Sequence, residues 1–426
     1  MSDSYESFTK ENPALREIIP KAYWDFALGT GDYTGDTLSE QWLSNLKKNV
    51  RKLYPKHGSV PELIGGVAKN KAVIAVGAGP SFNINKNDLY EIYRQNVQFR
   101  LSEQPFIIIS TNHQYKPLLE MGVFPHFVFL IEGGEHVFDQ LCTDVPELGK
   151  NSILISSLNA NHEILKEWDA QGKSIAFFLP NSEQGRKIFK RKMHKWPDHM
   201  MLGTGGNVLN GIFGLTFKYL GSRTFIATGN DLSFAAHEDI DNRRSSFYAD
   251  GDYESNIKSN RDEAQDKIGW MGIEFEDSKT HPSGKMINLV PVFTSRQFFV
   301  YKTWVEMHIG AWAQQGKPFR YYNCSEGGIS GVVATDHGKN SKTKDKLRDV
   351  KNWKLMDEIV PGRWFTTTLL DAATEWMEFR KKCQTQWAIE SGAGNVIDLP
   401  QVTDGAKIIV PAGKRIITPT YTGIIS

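Results

Sequence analysis

The sequence predicts an α/β fold, a mostly parallel sheet flanked by helices, and three observations carry that expectation. Between about residues 70 and 232, short β-branched or aromatic runs alternate with plausible helices, and their near-continuous apolarity calls for burial on both faces. The first run, Val73–Val76, ends in Gly77-Ala78-Gly79-Pro80-Ser81, and the last, Thr224–Thr228, ends in Gly229-Asn230-Asp231. Such turns fall where parallel strands deliver residues to the carboxyl edge of the sheet, the edge at which open α/β sheets hold ligands. A third glycine turn, Gly203-Thr204-Gly205-Gly206-Asn207, opens a long apolar segment that closes with Leu220-Gly221.

Taken in order, residues 1–65 mix aromatic and charged positions with breaks at Pro13, Pro20, Pro55 and Pro61, which reads as a helical N-terminal segment outside the sheet. Residues 66–335 form the expected α/β core, with strands at Val73–Val76, Phe106–Ser110, Phe127–Ile131, Ile153–Ser156, Ile175–Phe178 and Thr224–Thr228. Val208, Ile212, Leu215 and Tyr219 share one helical face and Phe213 and Phe217 another, so this helix is apolar nearly all round and belongs in the core. Phe298, Tyr301, Val305, Ile309 and Trp312 repeat at helical spacing after a capping Ser295. The polar stretch from about 235 to 285 has little periodicity and reads as an insertion, a lid or an acceptor-facing loop. Residues 336–426 read as a linker (His337 to Lys344), a helix around Leu369–Cys383 and an appendage with strand-like Lys407–Val410 and Arg415–Thr418. No internal repeat is found.

Among the 426 residues, 50 Lys+Arg balance 49 Asp+Glu, so net charge +1 argues against bulk capture of nucleic acid or an anionic membrane and leaves local patches open. Cys142, Cys324 and Cys383 are odd in number and lack metal-ligand spacing, which suits free thiols in a reducing, cytoplasmic setting. The residues after Met1 lack a signal-peptide pattern, and no apolar run is long enough for a membrane span. The cluster from Arg186 to Lys195 reads as a solvated basic helix face, with contact to an acidic partner as the alternative.

Gly77-Ala78-Gly79 lacks the third glycine of a dinucleotide fingerprint, since Phe82 occupies that position, and no Gly-Lys-Ser/Thr follows as a phosphate-binding P-loop requires. A nucleotide-type ligand remains the reading for Gly77, Gly79, Pro80 and Ser81, beside the alternative of a tight packing turn. Asn112, directly after the second strand, suits a base or ribose contact or a helix cap. Glu132 suits a ribose hydroxyl, a cationic acceptor or plain solvation, and Ser156 suits ligand bonding or a turn. Thr204, Gly205, Gly206 and Asn207 sit at a helix start, where an anion is favoured, with capping as the alternative. Thr228, Gly229, Asn230 and Asp231 end a buried strand, and the Asp231 carboxylate must find donors there, either ribose hydroxyls or neighbouring N–H groups.

The order Gly77-Ala78-Gly79-Pro80-Ser81, Gly205-Gly206-Asn207, Gly229-Asn230-Asp231-Leu232-Ser233-Phe234 and Cys324-Ser325-Glu326-Gly327-Gly328 resembles the motility accessory factors over roughly residues 70 to 335. Those are flagellin glycosyltransferase-like proteins that share a domain with archaeal hydroxymethylpterin diphosphokinases. That domain in turn is similar to the bacterial sialyltransferases that use CMP-activated sugars, whose first glycine turn, Asn-containing second turn and Gly-x-Asp turn surround the nucleotide; the resemblance makes Gly77–Ser81, Asn112 and Gly229-Asn230-Asp231 the counterparts. The resemblance therefore implies a Rossmann-like, sialyltransferase-like fold and transfer of a nonulosonic-type sugar from a CMP donor to a protein or glycan hydroxyl. Such a transfer needs a base near the acceptor and stabilisation of the departing phosphate. His237 and His281 are the base candidates, beside the reading of ordinary surface histidines; Glu326 suits orienting the acceptor or ending a strand, and Arg243, Arg244 and Lys285 suit phosphate clamps or solvated surface charge. Asp239-Ile240-Asp241 and Asp250-Gly251-Asp252 spell Asp-x-Asp, but such spacing arises readily in an acidic loop and a monophosphate donor needs less neutralisation. No metal and no cofactor are expected on this reading. Two alternatives stand beside it: an ATP- and Mg²⁺-dependent pyrophosphoryl transferase of the pterin type, and a non-catalytic binding or structural module on the same fold. A homo-oligomer is left open.

Overall fold

The computed structural model describes residues 31–131, 137–142, 151–235, 268–277, 285–334 and 352–390. Among the described residues, three helices precede the sheet: α1 (Gly31–Lys52), α2 (Tyr54–His57) and α3 (Val60–Ile64). The core then alternates β1 (Ala72–Val76), α4 (Phe82–Asn96), β2 (Phe106–Thr111), α5 (Tyr115–Glu120), β3 (Phe127–Leu130), α6 (Val137–Leu141), β4 (Ile153–Ser157), α7 (His162–Ala170), β5 (Ile175–Pro180) and α8 (Glu183–Met193). It continues through β6 (Met201–Leu202), α9 (Val208–Leu215) and β7 (Thr224–Thr228). After β7 come β8 (Phe234–Ala235), β9 (Ile268–Asp277), β10 (Lys285–Thr294), α10 (Arg296–Gln314), β11 (Arg320–Asn323) and β12 (Val332–Ala334). The last elements are β13 (Trp353–Leu355), α11 (Met356–Ile359), β14 (Trp364–Thr366) and α12 (Leu369–Glu390).

Among the described residues, nine strands form one sheet in the order β14-β11-β7-β1-β2-β3-β4-β5-β6. Each of its pairings is parallel, so the expected α/β, Rossmann-like architecture is what the chain adopts. Every residue of β1, β2, β3, β4 and β7 is buried, and the alternation of side chains sends neighbouring residues to opposite helical layers. Val73, Ala75, Ile107, Ile109 and Phe225 pack under α3, α9 and α10. Ile74, Val76, Ile108 and Ile226 meet α4 and α12 on the other face, and further along that face Leu154, Phe177 and Leu179 meet α1, α7 and α8. The connections run outward from β1 through β6 and then return, so β7 lies against the free side of β1. The junction of β1 and β7 is thus the switch point of the sheet.

Three features depart from the simple reading of the sequence. The apolar segment after Asn207 is α-helical only to Leu215 and finishes as a wider π-type turn, Thr216–Leu220. The Thr216 hydroxyl donates to the Ile212 carbonyl at 2.7 Å, a side-chain bond that competes with the helical ladder there. Part of the polar insertion is an antiparallel hairpin, β9 with β10, extended by β8. Its strand character is set by what it lies on, since Trp270 packs edge-on against Phe299 and Trp353. The C-terminal segment is tied into the core, with β14 paired to β11 and α12 packed on α4. Lys407–Val410, Arg415–Thr418, Pro13, Pro20 and the linker from His337 lie outside the described residues.

At the amino edge of the sheet, away from the switch point, a closed polar network holds β2 in place. His126 Nδ1 accepts from the Ile108 N–H at 3.1 Å, so its Nε2–H donates to Gln104 Oε1 at 2.6 Å, while Asn96 exchanges hydrogen bonds with Phe106 in both directions. Burial, with the nearby Lys71 charge, pushes the His126 imidazole down to about 4. A second buried polar pair joins α10 to the hairpin region: Lys302 Nζ donates to Glu306 Oε2 at 2.6 Å, and Glu306 Oε1 accepts from the Gly331 N–H at 2.7 Å. Burial lowers the Lys302 value and raises that of Glu306.

Because His126 stays neutral in the fold while an unfolded chain protonates near 6.5, its contribution is present above pH 6.5 and is lost as pH falls towards about 4. Urea unfolding at pH 7 and pH 4.5 will show the parent losing about 2 kcal/mol more than His126→Gln. An identical acid loss in both chains excludes the imidazole as the cause. For the α10 pair, Lys302→Met leaves a buried lone carboxylate and will cost about 3 kcal/mol in the same assay, while Lys302→Met with Glu306→Leu recovers most of it. Additive losses in the double variant contradict a coupled pair.

Candidate functional site

The turns after β1 and β7 meet in backbone contact. Gly77 N–H donates to the Thr228 carbonyl at 2.8 Å and Gly79 N–H to the Gly229 carbonyl at 2.9 Å. A Cβ at Gly77 would overlap both the Gly229 carbonyl and Leu209 Cδ1, and Gly229 itself has φ 68°, so both glycines are demanded by close approach. Asp231, only 5% exposed, accepts from the Ser81 N–H at 2.7 Å and from the Ser81 hydroxyl through its other oxygen. The donors that the sequence required for this carboxylate therefore come, at least in part, from the first glycine turn. Three N–H groups of that turn are spent on β7 and its turn, which makes the first turn a clamp between two strands.

Other residues complete the junction. Asn85, on the first turn of α4, donates to Thr228 Oγ1 at 3.0 Å and to the Cys324 carbonyl at 2.7 Å. The Asn230 N–H donates to Ser325 Oγ at 2.8 Å, and the Ile329 N–H to the Asp231 carbonyl at 2.9 Å. Ser233 Oγ donates to the Gly327 carbonyl at 2.7 Å, and the Ile273 N–H of β9 to the Gly328 carbonyl at 3.0 Å. Through these bonds the segment Cys324–Gly328 ties the hairpin to the Asp231 turn, and it places Glu326, half-buried, beside the junction.

The third glycine turn enters from the layer above. Leu209, one residue inside α9, is the side chain against Gly77, so the start of α9 overlies the end of β1. Asn207 caps this helix by accepting from the Asn210 N–H at 2.7 Å, and the first-turn N–H groups of Val208 and Leu209 have no acceptor within the helix. Gly205 (φ 56°) and Gly206 (φ 87°) lie against the rings of Trp304 and Tyr301 on α10. Asn210 Nδ2 fixes that packing with bonds to the Gly205 carbonyl at 3.2 Å and the Tyr301 carbonyl at 2.9 Å.

Farther along the carboxyl edge, Asn112 Nδ2 donates to Gln140 Oε1 at 2.7 Å, and Gln140 Nε2 donates to His113 Nδ1 at 2.9 Å. Beside them Thr111 and Gln114 are 5% and 1% exposed, yet Thr111 Oγ1 and Gln114 Oε1 have no hydrogen-bond partner among the described residues. A buried acceptor left unmet costs about 1–3 kcal/mol, so this edge carries polar capacity that the described residues do not use. At the end of β4, Ser156 Oγ turns to the neighbouring Ser157 carbonyl at 3.1 Å.

Of the residues singled out in the sequence, Gly77, Gly79, Pro80, Ser81, Thr228, Gly229, Asn230 and Asp231 are together at the switch point, with Thr204 to Asn207 at the adjoining helix start. Asn112 and Ser156 stand on the same edge at the ends of β2 and β4. Glu132, His237, His281, Arg243, Arg244 and both Asp-x-Asp runs lie outside the described residues. Asn85, Gln140, Tyr301 and Trp304 carried no signal in the sequence, because each looked like an ordinary helix residue until another segment was brought against it. Thiol chemistry finds no support at Cys324, whose burial beneath the junction pushes it well above the usual range.

Removing the Ser81 hydroxyl strips one charge-assisted bond from Asp231. Ser81→Ala will lower the unfolding free energy by about 2 kcal/mol in urea titration, and Asp231→Ala will cost a similar amount without adding to it in the double variant. Fully additive losses contradict the pairing.

Comparison with known proteins bears on the same segment. Residues 40–237 match the family described as 6-hydroxymethylpterin diphosphokinase MptE-like. No curated protein matches the chain. Among solved structures, the MAf glycosyltransferase from Magnetospirillum magneticum AMB-1 is similar with TM-score 0.44 and 16% identity, over 68% of this chain and 37% of that one. This chain therefore spans little more than a third of that protein's length. Over residues 40–237, from α1 through the β7 turn, the chain is similar to the MptE-like family.

Proposed function

We propose that the chain is a glycosyltransferase that binds a CMP-activated sugar of the nonulosonic type at the β1–β7 switch point and passes it to a protein or glycan hydroxyl. The observation that supports this reading is the convergence of the three glycine turns on one edge, beside buried acceptors at Thr111 and Gln114 that no described residue satisfies. In this proposal the first-turn N–H groups and dipole of α9 receive the single phosphate. Asn112, Thr111 and Gln114 face the nucleoside, and Asp231 holds the Ser81 turn in shape. Glu326 orients the acceptor, and His237 or His281 takes its proton. A monophosphate donor leaves with modest charge, so no metal is assigned a role.

Pyrophosphoryl transfer from ATP is the second reading, and the MptE-like match is what favours it. It requires Mg²⁺ to bridge the phosphates. Calorimetric titration with CMP, UMP, GDP and ATP, each with and without Mg²⁺, separates the two. The glycosyltransferase reading expects CMP to bind at least about tenfold more tightly than UMP, unchanged by chelator, and Asn112→Ala to weaken CMP by a similar factor in protein that remains folded. Binding of ATP alone, and only with Mg²⁺, reverses the ranking. Absence of binding by any nucleotide leaves the fold as a non-catalytic module.

A further inference from the structure

Charge is nearly balanced over the whole chain, yet the structure gathers cations on one outer face. Helices α1 and α8 pack side by side, burying Leu46, Val50, Ile188 and Phe189 between them and the sheet. Lys47, Lys48, Arg51 and Lys52 remain exposed along α1, and Lys187, Lys190, Arg191 and Lys192 along α8. Of these, Lys187 pairs with Glu183, at 3.5 Å, and the other seven have no ion-pair partner among the described residues. The acids nearby are largely committed elsewhere, Asp198 to Arg186, Asp169 to Lys56, Glu62 to Lys195 and Glu163 to Lys166, with Lys48 also within electrostatic reach of Glu163.

Exposed apolar side chains accompany the charge. His194 adopts a left-handed conformation (φ 55°) that ends α8 and folds the chain back, so Trp196 lies along the helix with Lys190 Nζ 3.9 Å and the Arg186 guanidinium 5.2 Å from its ring centroid. Trp196 is nevertheless 43% exposed, and Leu63, beside the Glu62 that pairs with Lys195, is 36% exposed. An indole set among lysines and arginines at a helix end is the arrangement that seats a protein at the headgroup level of a bilayer.

We infer that the α1–α8 face, with Trp196, docks the protein on an anionic lipid surface. Three features favour lipid over other polyanions. The cations are spread along two helices and do not converge on a pocket, which suits a mobile field of headgroups and not a fixed anion. The Trp196 ring is already engaged by two cations and does not offer an open stacking platform to nucleic-acid bases. The apolar residues are too few and too separated to make the packed centre of a protein interface. The inference is independent of the nucleotide reading, because the face lies on the outer helical layer and shares no residue with the switch point.

Sedimentation of the full chain with phosphatidylcholine vesicles, with and without about 30% phosphatidylserine, tests it. Binding is expected only to the anionic vesicles at about 0.1 M salt, with release at about 0.5 M. Lys190→Glu with Arg191→Glu and Lys192→Glu will reduce partitioning at least about tenfold, as will Lys47→Glu with Arg51→Glu, the two sets guarding against misfolding of either. Trp196→Ala will reduce it a few-fold while leaving the salt dependence. Equal binding to neutral vesicles, no binding to anionic ones, or folded charge-reversed variants that partition like the parent overturns the inference. So does a preference for polyuridylate or polyglutamate over anionic vesicles in competition.

Discussion

The contact between the Gly77 and Gly229 backbones is the constraint on which the rest of the molecule depends. It joins the first strand of the core to one that arrives only after five further strands, and it sits where connections leave in opposite directions. No side chain larger than hydrogen fits there, and the Asp231–Ser81 pair closes the junction with a buried carboxylate whose bonds are made within the fold. From Asp231 the contacts continue through Gly328 to β9, so the hairpin and the switch point are mechanically one unit. A ligand that changes the Asp231 turn must therefore act on the hairpin as well.

The two ends of the sheet differ in how they treat polar groups. At the amino edge, His126, Gln104 and Asn96 satisfy one another and the backbone, which rigidifies the fold and makes it sensitive to acid. At the carboxyl edge, Asn112, Gln140 and His113 form a chain of bonds, while Thr111 Oγ1 and Gln114 Oε1 beside it are met by none of the described residues. Proteins tolerate such unspent capacity where a ligand or ordered water supplies the missing partner. In open α/β sheets ligands bind outside the carboxyl ends of the strands, the edge at which Thr111 and Gln114 stand.

Charge shows a similar separation. A net value of +1 says nothing about distribution, and two helices distant in sequence bring their lysines and arginines to a common face. Their buried sides pack on the same cluster, so the exposed basic stripes are fixed relative to each other by the core and not by any interaction between the charges. That is why mutually repelling residues can stand together on the surface.

Much of this was legible in the chain itself. Apolar runs with turn punctuation gave the parallel strands, since burial on both faces leaves no polar positions to hide, and Ser295 marked the start of α10 by the capping it provides to Phe298. The glycine turns and Asp231 were identifiable as edge residues for the same reason. Their partners were not: that Gly77 meets Gly229, that Asp231 bonds Ser81, that Asn85, Gln140, Tyr301 and Trp304 belong at the edge, and that 268–294 holds a hairpin all follow from pairings between segments remote in sequence. Local periodicity encodes which face a residue buries, because that depends on its neighbours within a few positions. Which surfaces then meet depends on strand order and layer packing, and only the folded chain decides that.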